Sequence, residues 1–143
     1  MAATGRQINW TATGYTPSGG SVTTFTGVTN VDIDAGGQLL AFSGDTDKYA
    51  TTKVNVMNEP KCTVQSGNPA QFIGLSSGTI GTFTATHKDA RGATGGDIVY
   101  TLINAVVASP QVGGAHAQFG QGSLTLESFS SDGVTSPLSF SRA

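Results

Sequence analysis

Charged residues are scarce in this sequence. They make up 11% of its 143 residues, whereas soluble domains carry about 25%. Seven lysines and arginines against nine acids give a formal charge of -2, and the basic residues form no cluster, which argues against an interface that grips nucleic acid through its phosphates. Cys62 is the one cysteine, which excludes an internal disulfide and a cysteine-rich zinc site. We expect it to be buried apolar filler.

Long hydrophobic runs are also absent. No apolar segment reaches the roughly 18 residues that cross a bilayer, and no charged-then-apolar leader opens the chain. No Gly-Lys dipeptide is present, which removes the phosphate-binding P-loop, and no G-x-G-x-x-G opens a predicted helix. We therefore expect a protein that is assembled in the cytosol and carries no cofactor.

Serine, threonine and glycine supply more than a third of the chain, a bias towards strands and turns. Alternation of apolar and polar residues predicts strands over 7–13, 22–26, 28–34, 38–42, 53–57, 61–66, 79–86, 97–108, 118–129 and 137–140. In the first of these, Trp10 and Ala12 share the apolar face, and 15–20 follow as a turn. The residues predicted to point inward from later strands are Val31, Ile33, Val54, Val56, Cys62, Val64, Leu124, Leu126, Leu138 and Phe140.

Two pairing features stand out. Gly36 and Gly37 predict a tight turn that pairs segment 28–34 with segment 38–42 as a hairpin. Segment 97–108 is apolar on both faces, which predicts a central strand covered on both sides.

The sequence predicts one helix, over 68–77. Asn68 is the expected N-cap and Pro69 the first helical residue, and Phe72, Ile73 and Leu75 form the apolar stripe. These strands and one helix predict a mainly β fold, a β-sandwich or barrel-like domain with a short flanking helix. We expect a single domain over 1–143, with an N-terminal arm (1–6), a projecting loop (43–52) and a C-terminal segment (134–143).

One catalytic pattern is present. Gly74 to Gly78 match the G-x-S-x-G nucleophile elbow around Ser76, and Asp89 or Asp97 and then His116 follow in the order of a hydrolase triad. An elbow needs a strand before the serine and a helix after it, and here the predicted order is reversed. We therefore expect a plain helix stop and no enzyme.

The sequence offers few residues that could bind a metal ion, and four of its aspartates occur in two pairs. Asp45 and Asp47, like Asp32 and Asp34, place two carboxylates two positions apart, without the further oxygens of a calcium loop. The two histidines, His87 and His116, lie in separate segments. We expect no metal site.

The predicted strands carry little that protects sheet edges, because Ser, Thr, Asn and small apolar residues dominate them. This favours a subunit whose neighbours complete its sheets.

Several segments follow one another in an order that is typical of a known protein family. In chain order they are Asp47-Lys48-Tyr49-Ala50-Thr51-Thr52, Asn68-Pro69-Ala70-Gln71-Phe72-Ile73-Gly74-Leu75, the run from Gly78 to Thr86, Asp89-Ala90, Gly95-Gly96-Asp97, the run from Tyr100 to Val107, Gly114-Ala115-His116-Ala117-Gln118-Phe119-Gly120, Ser131-Asp132-Gly133 and Pro137-Leu138-Ser139-Phe140.

In this order, residues 47–143 resemble the tail tube proteins of tailed bacteriophages, most closely the major tail proteins of long, non-contractile tails. The resemblance implies hexameric rings stacked into a virion tube, assembled in the host cytoplasm, through which DNA passes without specific binding. It implies other tail proteins as partners at the tube ends. It also implies that the loop 43–52 contacts the adjacent ring, for which we expect Asp45, Asp47, Lys48 and Tyr49. As lumen-facing acids we expect Asp32, Asp34 and Glu127.

Three alternatives remain open. The inner tube of a contractile tail or related injection machine shares the fold and differs in having a sheath partner. A carbohydrate-binding module or capsid decoration protein is also a β-sandwich, but such modules expose an aromatic platform, and Trp10 falls on the apolar face of its strand. An enzyme that uses Ser76 comes last.

Overall fold

A computed structural model describes residues 9–42, 44, 46, 48–49, 52–88, 97–114, 116–117 and 119–142. Within them the chain forms ten strands and one helix. These are β1 (Asn9–Pro17), β2 (Thr23–Thr24), β3 (Val28–Asp34), β4 (Gln38–Phe42), β5 (Thr52–Met57), β6 (Lys61–Ser66), α1 (Ala70–Ile73), β7 (Ile80–Lys88), β8 (Ile98–Gly113), β9 (Gln121–Ser128) and β10 (Leu138–Arg142). The mainly β, sandwich-like fold predicted from the sequence is confirmed.

Strand β8 belongs to both layers of the sandwich. Its N-terminal half lies between β7 and β10, and its C-terminal half pairs with β9. One layer therefore runs β2-β1-β7-β8-β10, and the other runs β8-β9-β6-β3, with every pair antiparallel. The change occurs at Asn104, whose φ of 50 places it in the left-handed region.

The core lies between these layers. Val31, Cys62, Val64, Leu124 and Leu126 are buried from the β3-β6-β9 side, as their alternation predicts. Tyr15, Phe83, Ala85 and Leu102 are buried from the other side. Val54 and Val56, also predicted to point inward, have side chains outside the described part of the chain.

The first strand departs from its predicted alternation. Ala12 has a φ of 50 and forms a bulge, since the register with β7 shifts between Thr11 and Gly14. A bulge inserts one residue and so exchanges the two faces beyond it. Ala12 is exposed, and Tyr15, expected in a turn, is fully buried within the strand.

Strand β4 pairs with β5, so the predicted hairpin between 28–34 and 38–42 is wrong. The glycines after β3 turn the chain away from the sandwich instead. Gly36 has a φ of 66, and a Cβ atom there would lie 2.2 Å from the carbonyl oxygen of Glu59. Only glycine fits this crossing of segments 34–38 and 57–61.

The helix is one turn long, far shorter than 68–77. Its N-cap is Pro69, while Asn68 donates its side-chain amide to Thr26 Oγ1 at 3.2 Å. Phe72 is buried edge-on against Phe25 at 5.2 Å between ring centroids, but Ile73 is 70% exposed. Neighbouring residues of a helix differ by about 100° in direction, so the predicted shared stripe cannot form in a single turn.

Two expectations about covered side chains are wrong. Segment 97–108 is predicted to be covered on both faces, but Ile103 is exposed opposite the buried Leu102, and the left-handed residue at 104 then returns Ala105 to the core. Phe140 is 75% exposed, since β10 lies at an edge of its layer and carries this ring to the mouth of the sandwich.

Candidate assembly surfaces

A two-stranded ribbon projects from the sandwich. Among the described residues β4 and β5 pair only with each other, and we call residues 38–57 the hairpin arm. Leu39, Leu40 and Phe42 are each about two-thirds exposed, and Tyr49 is 83% exposed. Clustered exposed apolar side chains of this size mark interaction surfaces on soluble proteins.

The described residues of the predicted contact loop lie between β4 and β5. Lys48 and Tyr49 are exposed between β4 and β5. Asp45 and Asp47 lie outside the described residues. The three apolar residues of β4 were missed as surface residues because the sequence pairs this strand with β3, which would have given them a buried face. The adjacent pair Leu39-Leu40 was the available clue, because it places apolar side chains on both faces of one strand.

The three acids predicted to face a lumen lie on one surface. Cross-strand register aligns Asp34, Lys61 and Glu127 in one row and Asp32, Thr63 and Thr125 in the next. All six point away from the core, and we call this surface of β3, β6 and β9 the polar face.

The charged side chains of the polar face make only weak contacts with residues close to them. Lys61 Nζ lies 3.8 Å from Glu127 Oε1, with both side chains about half exposed, so the pair adds little stability. Asp32 accepts a hydrogen bond from Asn30 Nδ2 at 3.0 Å, and Asp34 accepts one from the Gly36 N–H at 2.9 Å. The polar face therefore offers carboxylates and hydroxyls to solvent.

An apolar groove opens at the mouth of the sandwich. It encloses about 340 Å³ between Val31, Ile33 and Ala35 of one layer and Trp10, Tyr100, Leu138 and Phe140 of the other. The Trp10 ring lies 4.8 Å from that of His87 and 5.8 Å from that of Tyr100, measured between centroids. Trp10 is thus half-buried, not a free aromatic platform.

The residues of the catalytic pattern are not brought together as an elbow. Ser76 is exposed after the helix and before β7, the reversed order that the sequence predicts. Ser77 donates its hydroxyl to the Ala108 carbonyl at 3.1 Å. His116 is exposed in the turn between β8 and β9, and Asp89 lies outside the described residues.

The part of the chain that the structure describes holds no group of three or more His, Cys, Asp or Glu side chains placed to share a metal ion. In that same part, no helix has the length and apolarity needed to span a membrane.

The side chain of Cys62 is buried in the core. Burial and the nearby Asp32 carboxylate together raise the pKa of its thiol to about 12.

No protein-family model matches this sequence, and no curated protein matches it. Among solved structures, a chain of the anti-feeding prophage baseplate, determined by cryo-EM and 6-fold symmetrised, is similar. The TM-score is 0.56 at 11% sequence identity, and the similarity covers 99% of this chain and 96% of that one. Two chains so alike over their whole lengths share a fold, despite their low identity.

Proposed function

We propose that this chain is a structural subunit of a phage tail or of a related injection machine, and that it forms rings stacked into a tube. The similarity to a baseplate chain supports this proposal, because it extends over nearly all of both chains and that assembly is 6-fold symmetrised. The proposal assigns the chain no catalytic role.

The hairpin arm is the observation that carries the proposal. Burying a side chain such as Leu40 or Phe42 contributes about 1.5–3 kcal/mol, which the isolated chain forgoes. A ribbon that pairs only with itself among the described residues gains this energy when it packs against a neighbouring copy. Rings and stacked rings supply such neighbours on fixed sides of every subunit.

The finer proposal is a hexameric ring of a long, non-contractile tail, with the polar face towards the lumen. Six copies carry a charge of about -12 per ring. Carboxylates and hydroxyls on the wall would repel passing phosphates, so DNA would slide through the tube without being held.

The inner tube of a contractile tail or injection machine is the second candidate. The similarity to a chain of the anti-feeding prophage baseplate fits this candidate as well as the first. A sheath protein that assembles around tubes of this chain would decide for the second candidate.

Electron microscopy with negative stain, at several protein concentrations and alongside sedimentation velocity, tests the proposal. We expect hollow fibres or stacked rings from the unmodified chain. Leu40→Asp with Phe42→Asp should leave the fold intact, by circular dichroism, and abolish the fibres. Val134→Asp, which alters an even more exposed apolar residue outside the hairpin arm, is the control. Identical sedimentation of all three proteins as monomers would contradict the proposal.

A further inference from the structure

A cleft lies at the end of the polar face, away from the acids. It encloses about 510 Å³, within the range of ligand-binding sites. Three glutamines line it, Gln65, Gln111 and Gln121, together with Ser123 and the ring of Phe119. The lining thus combines neutral amides with one aromatic side chain.

The strand register fixes this arrangement. Ser123 of β9 pairs with Gln65 of β6 on one side and with Gln111 of β8 on the other. The two glutamines therefore stand two strand spacings apart, about 10 Å. Gln121 lies two residues before Ser123 on β9 and pairs with Gly113. Because Gly113 has no side chain, the space beside Gln121 is open.

The amides of this cleft are available for a ligand. The side chains of Gln65, Gln111 and Gln121 make no hydrogen bond with any residue that the structure describes. Each amide group offers both donors and an acceptor, as a sugar hydroxyl does.

Phe119 forms one wall and is 96% exposed. It follows a narrow loop base, where a Cβ atom on Gly114 would lie 3.0 Å from the Gly120 Cα. The two glycines let the ends of the turn approach closely, which places residue 119 beside the cleft. A flat apolar ring beside polar groups suits a ligand with one apolar face and several hydroxyls.

Few charges of the polar face lie near the cleft. Asp32 pairs with Thr63, two residues along β6 from Gln65, which places it about 8 Å from Gln65. Lys61 and Glu127 lie four residues along β6 and β9 from Gln65 and Ser123, about 13 Å away. The residues that line the cleft are all uncharged, and the nearest charge is negative, which disfavours an anionic ligand. A peptide cannot add to β9 as a strand here, because β9 is paired with β6 and β8 along both edges at this point.

The geometry points to a binding site for a neutral carbohydrate, with Phe119 stacked on a pyranose ring and the glutamine amides bonded to its hydroxyls. The cleft shares the face that the finer tube proposal turns towards the lumen, but the tube proposal rests on the hairpin arm, so either proposal can fail without the other. Phe119 is an exposed aromatic side chain of the kind that carbohydrate-binding modules use, whereas Trp10 is half-buried.

Saturation-transfer difference NMR tests the site, because it observes the ligand and works for monomers and large assemblies alike. The probes are neutral oligosaccharides of glucose, galactose and mannose, with a polygalacturonate oligomer as the charged control. We expect transfer to at least one neutral probe and none to the acidic one. Phe119→Ala and the pair Gln111→Ala with Gln121→Ala should each reduce it about fivefold or more.

Phe140→Ala is the matched control, since it removes another exposed ring far from the cleft, and it should leave transfer unchanged. Transfer to no neutral probe would overturn the inference, as would equal transfer from Phe119→Ala and the unmodified chain. If Phe119→Ala instead abolished rings while no probe bound, the cleft would be an interface between copies. Fibres without carbohydrate binding would overturn this inference alone, and binding by a permanent monomer would overturn the tube proposal alone.

Discussion

The side-chain amide of Gln71 forms hydrogen bonds with both the backbone N–H and the backbone carbonyl of Thr26. Its Oε1 accepts the Thr26 N–H at 2.8 Å, and its Nε2 donates to the Thr26 carbonyl at 3.0 Å. The same Nε2 donates to Ser66 Oγ at 2.8 Å, and that hydroxyl donates to the Thr26 carbonyl at 2.7 Å. One amide thus acts as a neighbouring strand would, and it fastens the helix to the segment that joins β2 to β3.

Replacing Gln71 with alanine should therefore destabilise the fold by about 1–2 kcal/mol, because two backbone groups and a buried serine lose a partner. Gln71→Glu should cost at least as much, since a carboxylate cannot donate to the Thr26 carbonyl. Urea unfolding followed by circular dichroism measures both. Gln111→Ala is the control, because the Gln111 side chain is exposed and makes no hydrogen bond to a described residue. Equal midpoints for Gln71→Ala and Gln111→Ala would contradict the prediction.

The Tyr15 hydroxyl links β1 to β8 and to the residue that precedes β7. Its single proton is shared between the carbonyl of Ala105 at 2.9 Å and that of Thr79 at 3.0 Å, and the side chain is fully buried. Tyr15→Phe keeps the ring and removes the donor, which should cost about 1–3 kcal/mol in the free energy of unfolding. Tyr49→Phe, at an exposed tyrosine, should cost nothing measurable. A thermal midpoint for Tyr15→Phe equal to that of Tyr49→Phe would refute this role.

Asp132 organises the turn before β10. Its carboxylate accepts the N–H groups of Thr135 and Val134 at 2.8 Å each, the Thr135 hydroxyl at 2.7 Å and the Ser130 hydroxyl at 2.8 Å. These bonds hold the pKa of the Asp132 carboxyl well below its usual range. The unfolded chain takes up this proton near the ordinary pKa, about 4. The stabilisation is therefore present above that pH and is lost as the pH falls towards the folded-state pKa.

Asp132→Asn should consequently lower the melting temperature near neutral pH and by progressively less in acid. Differential scanning calorimetry from neutral pH down to about pH 3 measures the difference between the two proteins. Ser131→Ala, at the adjacent exposed residue, should follow the unmodified chain throughout. A difference in melting temperature between Asp132→Asn and the unmodified chain that stays constant with pH would show that the carboxylate does not stabilise the turn.

The polar face gives a prediction about transport that depends on the proposed tube. Asp32→Lys with Asp34→Lys should leave tubes intact under the microscope and slow DNA ejection about tenfold or more, because lysines on a lumenal wall would bind phosphates. Glu59→Lys, at an exposed acid outside the polar face, should change ejection little. Unchanged ejection by the double variant would count against a lumenal position of this surface.

Regular alternation predicted the inner residues of β3, β6 and β9, because those strands keep a period of two along their length. The pattern failed where one residue leaves the extended region. Ala12 and Asn104 both have a φ of 50, and each exchanges the two faces beyond it. No local propensity marks an alanine for that conformation, since it is imposed by the pairing partners.

Pairing was harder to predict than strand position. The glycines at 36 and 37 predict a hairpin from local turn chemistry, but the crossing with Glu59 that determines the path of the chain is 23 residues away in sequence. The contacts of Gln71 and the exposure of Phe119 are likewise tertiary. A glutamine in a helix and a phenylalanine among glycines have many structural roles, and the sequence alone does not choose between them.

The continuity of β8 has a mechanical consequence. Because one covalent strand of sixteen residues is shared by both layers, the layers cannot slide past each other without tearing its ladders to β7, β9 and β10. A tensile load that enters at one end of β8 is carried along the backbone itself and spread over three neighbouring strands. The shared strand therefore resists shear between the two layers.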